Sequence, residues 1–299
     1  MNFEETIKMV KIGSKLLPLL ILLCSCNGLD SQVVEFTKGG SSLYDYDKPA
    51  AVIVLNSELQ EISGLDYDSA NDALIAINDE KGNIYQIDKD SGESKKIYEF
   101  HKNGDYEGIA KVGKHIFVLK SNGTLYRFNT KKDKTKEFET KLSRKNDAEG
   151  LFYSQDDNSL LIACKGLPLN EKKSKKAVYR FLLDEEKLQK DPLIEINVDK
   201  LQEWAEEKEL QNSLQWRIKR FSPSGIAQHP TTNNYYILSA RGSMLLVISE
   251  NQKLVRLVFF NAMMLPQPEG ICFDRDNKLF IASEGKAGNG KLIVIKPKR

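Results

Sequence analysis

The chain has 299 residues, 40% of them hydrophobic and 29% charged, and its formal net charge at pH 7 is +2. This composition is ordinary for a soluble globular protein, and the length allows one large domain or two small ones. The near-neutral charge gives no electrostatic support for a nucleic-acid partner, so we expect none. We also expect a monomer.

Residues 1–25 have the pattern of a secretory signal peptide, with Lys11 and Lys15 before the apolar run 16–23. The run is too short for a transmembrane helix, which needs about 20 apolar residues. It ends in Leu23-Cys24-Ser25-Cys26, which resembles a bacterial lipobox. That resemblance implies that Cys26 is lipid-modified and anchors the protein in the bacterial cell envelope, at the outer membrane or facing the periplasm.

Residues 26–50 are expected to form a flexible tether between this anchor and a folded domain, residues 51–299. Within that domain a short phrase that ends in Gly and an aliphatic residue recurs five times. Its glycines are Gly64, Gly108, Gly150, Gly225 and Gly270, at steps of 44, 42, 75 and 45 residues. A period near 40–45 residues with four strands per unit is typical of a β-propeller. We therefore expect an all-β, five-bladed β-propeller, with six blades as the alternative.

In each unit the phrase opens a first strand, A, and polar turns separate it from strands B, C and D. In the first unit these strands are predicted at 64–67, 73–77, 83–88 and 95–100. The last unit has only three strands before the chain ends. Residues 51–55 are expected to supply its fourth strand, so that N- and C-terminal segments share a blade and close the ring.

The 75-residue step contains a complete third blade and an insertion. Val198, Leu201, Trp204 and Ala205 form an apolar stripe that predicts a helix over 199–211. Asp199 with Gln202 resembles a capping box at its start. A basic and aromatic connection, 212–220, follows the helix. An insertion on a propeller either carries function or covers a sheet edge, and the sequence leaves both open.

Because strands A and B form a hairpin, the start of A and the end of B lie at the same end of each blade. The A strands of a propeller ring its axis, so these positions should converge around one mouth of the central channel. They are Ser63, Glu107, Glu149, Ser224 and Glu269 at the starts of A, and Asp79, Lys120, Lys165, Arg241 and Glu284 at the ends of B.

Glu107, Glu149 and Glu269 would repel one another at this mouth unless their charge is compensated. A hard cation such as Ca²⁺, which binds carboxylate oxygens, is one compensation. Internal pairing with Lys120, Lys165 and Arg241 is the other, and it needs no ligand.

The remaining chemistry is sparse. No His-Glu-x-x-His, Gly-x-Ser-x-Gly or P-loop pattern is present, so no catalytic residues are assigned. His229 should lie at the opposite face from the glutamates. Cys164 and Cys272 lie in apolar strand patterns and are expected to be buried and unpaired.

The repeated phrases resemble the SdiA-regulated (YjiK-like) family, distant relatives of NHL-repeat propellers. The residues that carry the resemblance are 61–67, 106–110, 147–151, 223–226 and 268–273. The resemblance implies a five-bladed propeller exported to the cell envelope, with a bound Ca²⁺. Carried onto this chain, the calcium ligands would come from Glu107, Glu149 and Glu269. No defined activity follows from the resemblance.

Three hypotheses for the function remain open. The first is an anchored module that binds a small ligand or a protein partner at the channel mouth. The second is a calcium-dependent hydrolase acting on esters, lactones or phosphoesters, which needs an open metal position and a base. The third is a scaffold in which every mouth carboxylate is paired.

Overall fold

The computed structural model describes residues 31–35, 42–286 and 288–298. The expected signal peptide, the lipobox and Cys26 lie outside these residues. The chain forms five antiparallel sheets arranged as the blades of a β-propeller, which confirms the five-bladed prediction and leaves no need for a sixth blade. Among the described residues, no helix has the length and apolar character needed to span a membrane.

The N-terminal region supplies β1 (Gln32–Glu35) and β2 (Ala51–Val54), which join blades formed much later in the chain. Blades 1 and 2 then follow as two four-stranded meanders. The strands of blade 1 are β3 (Ile62–Asp68), β4 (Ala73–Asn78), β5 (Asn83–Ile87) and β6 (Ser94–Glu99). The strands of blade 2 are β7 (Tyr106–Val112), β8 (His115–Lys120), β9 (Leu125–Asn129) and β10 (Lys134–Phe138).

Blades 3 to 5 are separated by the insertion and completed by the N-terminal strands. Blade 3 has β11 (Ala148–Ser154), β12 (Ser159–Cys164), β13 (Lys175–Leu182), β14 (Lys187–Leu188) and β15 (Ile194–Asn197). The insertion holds α1 (Val198–Glu207) and α2 (Asn212–Lys219). Blade 4 has β16 (Pro223–Gln228), β17 (Tyr235–Ser239), β18 (Met244–Ile248) and β19 (Leu254–Phe259). Blade 5 has β20 (Gln267–Phe273), β21 (Leu279–Glu284) and β22 (Lys291–Ile295).

Ring closure follows the prediction. Strand β2 pairs antiparallel with β22, with Ala51 opposite Val294 and Val54 opposite Lys291, and it completes blade 5. The innermost strands β3, β7, β11, β16 and β20 each contact the next one around the axis, and β20 returns to β3. The ring is therefore closed by strands from both ends of the chain, which removes an open blade edge.

Two features of the expected tether differ from a free linker. Strand β1 pairs with β19 and adds a fifth strand to blade 4, held by an ion pair of 2.5 Å between Arg256 and Glu35. Tyr44 and Tyr46, each 1% exposed, pack among aromatic residues of blades 4 and 5. The described parts of residues 26–50 are thus packed on the propeller.

The core lies between neighbouring blades. The second strands are buried along their full length in β4 and β12, because each blade packs against a neighbour on both faces. The outermost strands are partly exposed, as in β6, and β2 alternates between half-buried and exposed residues. Cys164 and Cys272 are buried free thiols, as predicted.

The insertion forms two helices, where one helix and an irregular connection were predicted. Asn197 caps α1 by accepting a hydrogen bond from the Lys200 N–H at 3.1 Å, so the proposed Asp199 cap is wrong. Val198, Leu201 and Ala205 are buried, as are Leu214 and Ile218 of α2. Both helices pack on the core shared by blades 3 and 4.

Candidate functional site: the bulged channel mouth

The strand registers bring the predicted mouth positions together. In blade 2 Tyr106 lies opposite Lys120, and in blade 5 Gln267 lies opposite Glu284. The starts of the A strands and the ends of the B strands therefore share one end of each blade, as the hairpin argument predicts. His229 follows the far end of β16, opposite this mouth, as predicted.

A β-bulge interrupts every A strand at the same place. The register shifts lie between Ile62 and Gly64, Tyr106 and Gly108, Ala148 and Gly150, Pro223 and Gly225, and Pro268 and Gly270. The skipped residue is in each case the mouth residue that precedes the glycine. A bulge re-aims a side chain and is frequent beside active sites.

The glycine of the phrase is required by close packing at the axis. A Cβ on Gly108 would lie 2.6 Å from the Cβ of Leu151 and 2.8 Å from the carbonyl oxygen of Glu149 in the next blade. Only a residue without a side chain fits this approach. The repeated phrase therefore encodes a bulged residue followed by an interblade contact.

Two of the five bulged residues are not available to a ligand. Ser63 Oγ donates to the Tyr106 carbonyl at 2.7 Å, and Ser224 Oγ donates to the Pro268 carbonyl at 2.7 Å. Both serines are buried, at 5% and 1% exposure. They share the mouth position with the glutamates, but their hydroxyls fasten blade 1 to blade 2 and blade 4 to blade 5.

The three glutamates interact electrostatically and share one cation. Burial, then the charge of Glu149, raises the pKa of Glu107 to about 9. Burial raises the pKa of Glu149 to about 7 although Lys165 lowers it, and burial followed by Glu149 also raises the pKa of Glu269. Lys165 Nζ lies 2.5 Å from Glu149 Oε1 and 3.7 Å from Asp147 Oδ2. Internal pairing is thus present for Glu149.

Glu107, Glu149 and Glu269 are the residues from which the resemblance would draw calcium ligands. In the part of the chain that the structure describes, no three His, Cys, Asp or Glu side chains are grouped to hold a metal ion. The Lys165 ammonium already places a positive charge beside Glu149. As arranged, the glutamates do not fit a ready-made Ca²⁺ site, and calcium stays a prediction from resemblance.

One side of the mouth is acidic. Burial, with Glu61 and Glu80, raises the pKa of Asp79 to about 6, and its buried Oδ1 has no hydrogen-bond partner among the described residues. Burial, followed by Asp79 and Glu61, raises the pKa of Glu284. This acidic sector comes from blades 5 and 1.

Beside this acidic sector lies a basic cavity of about 540 Å³, which we call the mouth cavity. Its size lies in the range of small-ligand sites. Its cationic lining residues, the basic sector, are Lys165, Arg217, Arg220, Arg241 and Lys286. Among the described residues Glu269 is the one acidic side chain that lines it, and the exposed Trp216 forms part of its wall.

The basic sector is largely uncompensated. Arg217 Nε and its terminal nitrogen donate to the carbonyls of Gly242, Ser243 and Phe260 at 2.5–2.7 Å, so its bonds reach no carboxylate. Arg220 stacks on Trp216 at 4.5 Å. Across the described residues Arg220, Arg241 and Lys286 form no ion pair, whereas Lys175, Arg180 and Lys145 on the outer surface each have one.

Sequence reasoning placed Lys165 and Arg241 at the mouth and missed Arg217, Arg220 and Lys286. The basic and aromatic residues of 212–220 are the signal in the sequence for the two arginines, but the sequence does not tell where this segment lies relative to the mouth. Lys120 lies at the end of β8 as predicted, but it does not line the mouth cavity.

Comparison with known sequences gives the family. A model of the SdiA-regulated family matches residues 42–287, most of the chain. The chain belongs to the SdiA-regulated family. No curated protein matches at a significant level.

Solved propellers are similar in fold at low identity. A glutaminyl cyclase from Myxococcus xanthus is 13% identical, with a TM-score of 0.53 over 84% of this chain and 97% of the other. A PQQ-bound aldose sugar dehydrogenase from Streptomyces coelicolor is 12% identical, with a TM-score of 0.53 over 90% and 99%. A gluconolactonase from Xanthomonas campestris is 13% identical, with a TM-score of 0.52 over 91% and 96%. At these identities the likeness concerns the fold alone.

Proposed function

We propose that this protein is a binding module that captures a small anionic ligand in the mouth cavity. The observation that carries the proposal is the set of five cations around one cavity of about 540 Å³, of which only Lys165 has a carboxylate partner within the described residues. Arginine forks match carboxylate and phosphate groups with two hydrogen bonds. Uncompensated cations in a concave site attract such groups.

A hydrolase needs an open metal position or an activated nucleophile within reach of a base. No observation at the described mouth favours that reaction over binding, so the hydrolase stays a prediction. The scaffold hypothesis also has less support than binding. A scaffold requires paired charges at the mouth, whereas the arginines that line the cavity have no carboxylate partner among the described residues.

Thermal unfolding with small anions tests the binding proposal. The probes are D-galacturonate, citrate and inorganic phosphate, with D-galactose as the neutral match for galacturonate. At least one anion should raise the melting temperature of the purified protein, and Arg241→Gln should abolish the shift. Lys131→Gln, a change at an exposed lysine of blade 2, is the matched control. Equal shifts in both variants, or no shift with any anion, would refute anion capture at this mouth.

We further propose that the module is held at the cell envelope through Cys26. The support is the basic and apolar pattern of residues 11–23 followed by Leu23-Cys24-Ser25-Cys26. Expression of the full chain in a bacterial host with labelled palmitate should label the protein, and Cys26→Ser should lose the label and leave the membrane fraction. Labelling that persists in the variant would rule out this anchor.

A further inference from the structure

A second basic cavity adjoins the mouth cavity. This helix cavity, of about 400 Å³, lies between the insertion and blade 3 and is lined by Lys173, Lys176, Lys219, Arg220 and Arg241, among others. Arg220 and Arg241 line both cavities. The two cavities therefore meet at a shared pair of guanidinium groups.

A second contact ties the cavities together. Lys176 Nζ donates to the Lys165 carbonyl at 2.5 Å and to the Gly166 carbonyl at 3.3 Å. Burial, then the charge of Arg241, lowers the pKa of Lys176. Within the described ranges Lys173, Lys176 and Lys219 form no ion pair. The cations around the two cavities therefore outnumber the carboxylates that line them.

The polar lining narrows the chemistry of the ligand. The described lining of each cavity includes one carboxyl group, Asp199 in the helix cavity and Glu269 in the mouth cavity, to which a hydroxyl or amine on the ligand can donate. Trp216 is 57% exposed in the wall of the mouth cavity, stacked with Arg220, and offers an aromatic surface. A ligand with several anionic groups, many hydroxyl donors and flat ring faces meets all three requirements.

We propose, resting on the proposed function above, that the ligand is an acidic oligosaccharide that spans both cavities. One anionic sugar lies in the mouth cavity, the next lies near Arg220, Arg241 and Trp216, and a further anionic group lies at Lys173 and Lys219. Lipid headgroups and nucleic acids fit less well. A lipid surface does not enter two concave cavities, and a phosphodiester backbone is a poor donor to Asp199 and Glu269.

Chain length is the variable that tests the proposal. Affinities of galacturonic acid and its dimer, trimer and tetramer are measured by calorimetry with the purified protein, with maltotetraose as the neutral match. The tetramer should bind at least about tenfold more tightly than the monomer, with a steeper salt dependence. In the double variant Lys173→Gln/Lys219→Gln, the affinity for the tetramer should fall to that for the monomer. In Lys131→Gln, the dependence of affinity on chain length should stay intact.

The outcomes separate the two proposals. If citrate, phosphate or the monomer binds but the tetramer binds no more tightly, the oligosaccharide proposal is overturned while anion capture stands. Equal binding of maltotetraose would also overturn it. If no anion binds, both proposals fail.

Sedimentation with phosphatidylglycerol vesicles is run beside the titrations. If vesicle binding depends on Lys173 and Lys219 and the affinity for the sugars does not increase with chain length, the surface binds lipid headgroups instead, and the oligosaccharide proposal is overturned.

Discussion

Lys165 Nζ lies 2.5 Å from Glu149 Oε1, and the Glu149 side chain is almost fully shielded from solvent. Glu107, in the next bulged strand on one side, and Glu269, two bulged strands away on the other, interact with the same pair. Burial and Glu149 raise the pKa values of both glutamates, and Lys165 acts to lower them. Burial lowers the pKa of Lys165, but the carboxylates of Glu149 and Asp147 outweigh it and raise the value. Lys165 therefore acts on all three glutamates, while only Glu149 is in direct contact with it.

Replacing Lys165 by Met should destabilise the protein. Removal of one partner leaves Glu149 buried without its cation, which costs about 3 kcal/mol for a pair of this kind. The free energy of unfolding in urea at pH 8 measures the loss. Lys145→Met is the control, since the Lys145–Glu171 pair is exposed on both sides and such pairs contribute about 0–1 kcal/mol. Equal losses in the two variants would contradict the central role of Lys165.

Replacing Glu107 by Gln should stabilise the protein at pH 8. The folded-state pKa of about 9 lies above the ordinary value of 4.5, so the folded protein binds the proton more tightly than the unfolded chain. The stability that this group contributes is full below about pH 4.5 and is lost as the pH rises through about 9. Unfolding curves between pH 5 and 9 should show a smaller decline in Glu107→Gln, while the exposed Glu185→Gln keeps the wild-type slope.

The N-terminal strap, residues 42–50, should loosen in acid because of His229. Its Nδ1 accepts from the N–H groups of Thr231 and Thr232 at 3.1 and 3.2 Å. Tyr44 donates its hydroxyl proton to the Asn277 carbonyl, so Nε2–H of the neutral ring donates to Tyr44 Oη at 2.9 Å. A proton added to Nδ1 would point at these two N–H donors, so both hydrogen bonds would be lost.

Burial lowers the pKa of His229 below its ordinary 6.5. The neutral His229 ring therefore contributes its full stabilisation above about pH 6.5. This contribution is lost as the pH falls from there through the lower pKa of the folded state. Unfolding measured between pH 7.5 and 5 should show this loss, and His229→Gln should flatten the slope. His101→Gln, at a partly buried histidine outside the strap, should retain it. A titration of the His229 ring by NMR above pH 6.5 would disprove the prediction.

The glycine of the phrase should tolerate no side chain. Gly108→Ala places a Cβ 2.8 Å from the Glu149 carbonyl oxygen, and overpacking of this kind costs about 1–3 kcal/mol. Gly288→Ala is the matched control, because its Cβ meets no atom within 4 Å and its φ is not positive. Urea unfolding should separate the two variants, and equal stability would show that the interblade approach is not tight.

Calcium binding should respond to Lys165. If Lys165 occupies the charge position that a cation would take, Lys165→Gln should bind Ca²⁺ more tightly than the wild type at pH 8, as measured by calorimetry after EDTA treatment. Glu149→Gln should lower the affinity of either background. Tight wild-type binding that weakens in Lys165→Gln would mean that the lysine supports a metal site.

Most of the fold was predictable because the propeller repeats its chemistry. The recurrence of the glycine at Gly64, Gly108 and their counterparts locates every A strand, and the apolar B strands such as 73–77 alternate with polar turns. The closing pair of β2 with β22 followed from the missing fourth strand of the last unit. These signals are local or periodic, so a single sequence carries them.

The parts that were missed depend on long-range geometry. Ser63 and Ser224 share the mouth position with the glutamates, but their short hydroxyls reach the next blade's carbonyl, and no pattern distinguishes the two outcomes. Strand β1 forms by pairing with residues more than 200 positions away. Helix α2 buries only Leu214 and Ile218, too few for a periodic signal.

The basic sector was missed for the same reason. Arg217 and Arg220 come from the insertion, Arg241 from a turn after β17, and Lys286 from the turn after β21. Only the packing of the helices on blades 3 and 4 brings them to one cavity.

A crystal structure with the most stabilising anion of the panel is the most direct test of anion capture at the channel mouth. We expect the anion in the mouth cavity, within hydrogen-bond distance of the Arg241 or Arg220 guanidinium and on the same side as Lys165. An anion bound elsewhere, for example at the opposite end near His229, with the mouth cavity empty, would contradict it.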